Sequence, residues 1–149
     1  MLVLAGGFVA GALDIVFAIV FWAVKRGVPA TRILQSVAAG LLGRASFEGG
    51  LRSAALGLAL QFFIAVSMSV TYFAVSRRLP LLWQRPLLCG AAYGLLLYAI
   101  MNYVVVPLSA ALPGSKDPLW VTLSIAVHML LIGVPIALFT RRALRGGGP

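Results

Sequence analysis

Three acidic residues and one histidine make up almost the whole acid–base repertoire of this 149-residue chain. Two of the four, Asp14 and His128, stand inside long apolar runs. A carboxylate near the middle of a bilayer costs about 2.5–3.5 kcal/mol. A group kept there needs a proton, a cation or a protein partner. Asp14 therefore reads either as a proton or cation site or as a hydrogen-bonding group that holds two helices together. Ser124 precedes His128 by one helical turn on the same face. Asp14 and His128 are expected at one depth, so a carboxylate–imidazole pair is geometrically open to them. The plainer alternative is a histidine satisfied by Ser124 or a backbone group. A haem ligand is the weakest reading of His128, because Met129 points about 100° away around the helix and a second chain would have to supply the other ligand. Gln61, Asn102 and Tyr98 form a second polar set, expected in one leaflet. They read as interhelical hydrogen-bonding groups or as the lining of a polar cavity. No metal-ligand spacing, phosphate loop or nucleophile elbow occurs, so the chain is expected to be no enzyme and to need no cofactor or metal.

Residues of this kind need rigid elements to place them, and composition says what those are. The chain is 62% hydrophobic and 10% charged, whereas a soluble domain carries about a quarter charged residues. The surrounding solvent must then be lipid. Four segments reach the ~20 apolar residues that a crossing helix needs: 2–24, 54–76, 87–106 and 119–139. The first is too long and lacks the basic start of a signal peptide. Trp22, Trp83 and Trp120 fall at or near predicted ends, where an indole buries its ring and keeps its N–H wet. Around the first segment, Gly7, Ala10, Gly11, Asp14 and Ala18 share one face, while Leu13, Ile15, Val16, Ile19 and Val20 are expected to face lipid.

A fifth helix, 29–43, is expected in the first connection. Ile33, Leu34, Val37, Ala38, Leu41 and Leu42 fall on one half of its wheel; Arg32, Gln35, Ser36, Ala39, Gly40 and Gly43 fall on the other. It is too short to span and should lie in the interface or dip into the bundle. The expected fold is therefore all-α: one transmembrane domain, 1–149, built as an integral membrane four-helix bundle with one short amphipathic interfacial or re-entrant helix. Pro135 should kink the last helix.

The net charge of +9 does not point to nucleic acid, because every Lys and Arg lies between or beyond the apolar runs. These residues read as topology signals and anchors for anionic lipid headgroups. Lys25, Arg26, Arg32, Arg44, Arg52 and Lys116 on one side balance Arg77, Arg78, Arg85, Arg141, Arg142 and Arg145 on the other. The paired arginines Arg77-Arg78 and Arg141-Arg142 favour cytoplasmic N- and C-termini.

Residues 6–14 and 33–43, together with the stretch from Val127-His128-Met129 to Arg141-Arg142, resemble a group of small uncharacterised bacterial four-helix inner-membrane proteins. The resemblance implies topology and a bacterial inner membrane, and no activity. The chain is also similar in plan to the small multidrug resistance transporters, which have four short helices and one acid in the first. Asp14 matches that acid. The chain departs from them in its length, its extra helix and its Asp in place of Glu. The leading functional expectation is an accessory or scaffold subunit that packs against a membrane-protein partner or another copy of itself. The alternative is a small proton-coupled transporter or channel centred on Asp14.

Overall fold

The computed structural model describes residues 1–146; Gly147–Pro149, the end of the expected domain, lie outside the described residues. Every regular element among the described residues is helical. Four helices are long and apolar enough to cross a membrane: α1 (Leu2–Arg26), α3 (Gly50–Ser76), α5 (Pro86–Leu108) and α6 (Pro118–Gly146). The chain is thus a multi-pass membrane protein by length and composition. A shorter helix, α2 (Ala30–Leu42), runs between α1 and α3 and leads into a 3₁₀ turn, Gly43–Phe47. One further turn, α4 (Leu81–Gln84), links α3 to α5.

Local chemistry explains the ends. α1 stops at Gly27, whose φ of 63° is left-handed and whose N–H bonds to the Ala23 carbonyl. Only glycine adopts that conformation without cost. α6 starts at Asp117-Pro118: the Asp117 carboxylate accepts from the N–H groups of Leu119 at 3.0 Å and Trp120 at 3.2 Å. Proline at the first helical position gives up no bond. α6 continues well past the expected end at 139, carrying Arg141, Arg142 and Arg145 in its last turns. Cations there complement the carbonyl end of the helix.

α1 is the central element. It packs on α3 along one side and on α6 along another, and α5 packs on α6. The glycines set these contacts. A Cβ at Gly7 would lie 2.6 Å from Val66 Cα of α3, and one at Gly6 would lie 2.8 Å from Phe139 Cβ of α6. Leu13, Val16 and Val20 face outward as expected, but Ile15 is buried. The expectation for Ile15 assumed a single inward stripe. A helix held between two neighbours buries a wider arc, and Ile15 falls inside it.

α2 docks on α3. The carbonyl of Leu34 is pressed against Gly57, where no side chain would fit. Its buried residues are Gln35, Ala38 and Ala39, while Leu41 and Leu42 are exposed. Small residues point inward and large apolar ones outward, the reverse of a soluble helix. Gln35 Nε2 donates to the Gly50 carbonyl at 3.0 Å, which ties the helix to the start of α3.

α5 and α6 each contain one π turn, Met101–Val105 and His128–Gly133. In each, the N–H of the residue before a proline reaches back five residues: Val106 to Met101, Val134 to Met129. Pro107 and Pro135 lack an N–H and clash with the carbonyl four residues earlier, and widening the turn relieves that clash.

Candidate functional site

Asp14 sits on α1, one turn after Gly11, on the side facing α3. Gln61 Nε2 of α3 donates to its Oδ2 at 2.8 Å and lies 3.4 Å from the Gly11 carbonyl. The close approach that brings the amide here is glycine-made: a Cβ on Gly11 would stand 2.9 Å from Ala65 Cβ. Among the described residues no donor meets the other carboxylate oxygen of Asp14. The sequence allowed a carboxylate–imidazole pair, but Asp14 and His128 form neither a hydrogen bond nor an ion pair. The partner of Asp14 comes from the other polar set.

His128 opens the π turn of α6. Its Nδ1 lies 2.9 Å from the Ser124 carbonyl. A carbonyl oxygen only accepts, so Nδ1 carries the proton and Nε2 of the neutral ring keeps a free lone pair. The edge of Tyr98 of α5 meets the ring, with centroids 5.4 Å apart and planes at 85°. The Ser124 hydroxyl has no protein partner and is buried. Asn102 lies in the π turn of α5 and donates to the Tyr98 carbonyl at 2.9 Å.

These groups line one chamber of about 450 Å³. Asp14, Gln61, Asn102, Ser124 and His128 all open onto it, so each of the four long helices contributes a polar side chain. Tyr98 does not line it and acts only through His128 and Asn102. The remaining wall is apolar. α2 covers one side with Ile33, Ser36, Val37, Gly40 and Leu41. The Gly40 carbonyl accepts from Ala110 N–H at 3.1 Å, which links this cover to the third connection.

Trp22 and Trp120 also line the chamber, a role that their reading as interfacial anchors did not include. Trp120 stacks on Phe17 with centroids 5.5 Å apart and contacts Trp22 at 5.2 Å. Just beyond, Lys25 at the end of α1 forms an ion pair with Asp117 at the start of α6. The Lys25 ammonium beside Asp117, with the N–H groups of Trp120 and Leu119, holds that carboxyl below its ordinary value. The two π turns were a second feature not read from the sequence. Their signal was present: Pro107 and Pro135 each follow a polar, chamber-lining residue by five and seven positions.

The arrangement offers an acid with a free oxygen, an imidazole with a free nitrogen and an unpartnered hydroxyl, in a space large enough for water or a small solute. Among the described residues no cluster of three or more metal-ligating side chains occurs. No family model, curated protein or solved structure matches this chain.

Proposed function

We propose that this chain is a small proton-coupled carrier or channel of a bacterial inner membrane, working at Asp14 and binding its solute in the chamber. The observation that carries this reading is the convergence of one polar side chain from every long helix on a single space. Polar groups inside a membrane are costly, and helix–helix glue would scatter them in pairs along the interfaces. Asp14 is the group that exchanges protons, and Gln61 orients it. His128 and Ser124 present an acceptor and a hydroxyl from the opposite helix. α2 is a re-entrant or interfacial cover whose exposed leucines face lipid. Both termini lie in the cytoplasm. The accessory-subunit reading rests on the large apolar exterior, and lipid covers such a surface without any partner.

Reconstitution tests the proposal. Proteoliposomes loaded with a pH-sensitive dye should show proton movement on addition of small amines and other cationic solutes. Asp14→Asn keeps an amide that can accept from Gln61, so it should fold normally, but it cannot titrate. We expect it to lose solute-dependent proton movement entirely. Wild-type proton movement in Asp14→Asn would exclude Asp14 as the coupling group.

A further inference from the structure

The bundle is open along one side. α1, α6 and α5 pack in sequence, but α3 and α5 do not close on each other along their length. Between them runs a crevice of about 730 Å³. Ile64, Met68, Met101 and Val105 belong to the wall of this crevice and to the wall of the Asp14 chamber. The two spaces are therefore neighbours across a shared border, one polar at its far end and one facing lipid.

Their polar chemistry differs in a way that composition alone would hide. The crevice wall contains Ser67, Thr71, Tyr72 and Tyr93. Each hydroxyl already donates to a backbone carbonyl: Ser67 to Phe63 at 2.7 Å, Thr71 to Ser67 at 2.8 Å, Tyr72 to Leu82 and Tyr93 to Met68 at 2.9 Å. A wall whose donors are consumed internally behaves as hydrocarbon. In the chamber the opposite holds: Ser124 Oγ is buried without a partner, His128 Nε2 keeps its lone pair, and one oxygen of Asp14 meets no donor. The free groups are acceptors around a carboxylate, which is complementary to a cationic donor.

We propose that the occupant of this combined space is a single-chain amphiphile with a cationic amine head, its head at Asp14 and its alkyl chain in the crevice between α3 and α5, entering sideways from the bilayer. This rests on the chamber being the working site and specifies its ligand. A long apolar chain needs a site with an unbroken apolar wall; a small hydrophilic solute would leave the crevice without a role.

The test uses the full chain in proteoliposomes and dodecylammonium carrying a photoreactive diazirine on its chain. Labelling should fall on the α3 and α5 walls of the crevice. Excess plain dodecylammonium should suppress it, and dodecanoate, with the opposite head charge, should not. Ala92→Trp fills the crevice without touching Asp14. It should reduce labelling at least tenfold while butylammonium, which has the head and almost no chain, still drives proton movement; that retained response also shows that the variant folds. Asp14→Asn should abolish both. If butylammonium works but crevice labelling is absent, is not suppressed by excess ligand, or survives Ala92→Trp, the amphiphile is overturned and the chamber reading stands. If no amine moves protons and labelling ignores Asp14→Asn, both readings fall. Labels that bridge two copies of the chain across α3 and α5 would make the crevice a dimer contact and also overturn the proposal.

Discussion

At the residue scale, the site depends on which oxygen or nitrogen is left over once the protein has satisfied the rest. Gln61 occupies one side of Asp14, and the Ser124 carbonyl fixes which nitrogen of His128 carries hydrogen. What remains free faces the chamber. The same accounting applies at the mouth, where Asp117 caps α6 and pairs with Lys25. Because Lys25 and the capping N–H groups lower the folded-state value of Asp117 below 3.8, the contact contributes fully above that pH. It is lost only as pH falls through the lowered value. The link should therefore be indifferent to pH between about pH 5 and pH 8. Lys25→Ala should move the Asp117 titration upward toward 3.8, measured by carboxyl-carbon NMR in micelles. An unmoved titration would mean that Lys25 contributes nothing to the depression.

At the element scale, glycine decides where backbones touch. Gly57 receives the Leu34 carbonyl and Gly94 the His128 carbonyl, so neither position has room for a methyl group. Gly40, also on a chamber wall, has open space where a Cβ would go. The two kinds of glycine should respond oppositely to alanine. Gly40→Ala sits inside a helix and should stabilise the protein by about 0.5–1 kcal/mol. Gly57→Ala should force α2 off α3 and cost about 1–3 kcal/mol. Thermal unfolding in detergent reads both, and proteolysis within α2 should rise in Gly57→Ala alone. Equal effects of the two substitutions would remove glycine-mediated docking as the reason α2 covers the chamber. The π turns act at this scale as well. By widening one turn ahead of Pro107 and Pro135, they set the rotation at which Asn102 and His128 leave their helices.

At the scale of the whole molecule, four crossing helices put both ends of the chain on one face of the membrane. The Lys25–Asp117 pair joins the end of α1 to the start of α6 and lies on the opposite face. A reporter fused at Pro149 and one inserted in the 113–117 segment should report opposite compartments, the first cytoplasmic. Both reporters active in one compartment would refute a single orientation. The gap between α3 and α5 also belongs to this scale. Three interfaces are closed by glycine or by small residues, and the fourth is left open toward lipid, bridged by Tyr93 bonding to the Met68 carbonyl.

Much of this was legible in the residues. Four apolar runs dictate four helices because a backbone in hydrocarbon must satisfy its own hydrogen bonds. Asp14, Gln61, Asn102, Ser124 and His128 stand out because polar groups in such runs are few and costly. Helical spacing also places Gly7, Gly11 and Asp14 on one face, since that periodicity is local. Pairing is not local. Whether Asp14 meets His128 or Gln61 depends on which helices are neighbours and on their relative rotation, and the π turns shift that rotation by amounts no 3.6-residue wheel contains. The burial of Ile15 and the inward side of α2 follow from having two neighbours or a glycine contact, again facts about partners. The sequence by itself determined which residues are too polar for the membrane; only the tertiary structure decided that they share one chamber, because proximity between distant segments is set by packing and not by spacing along the chain.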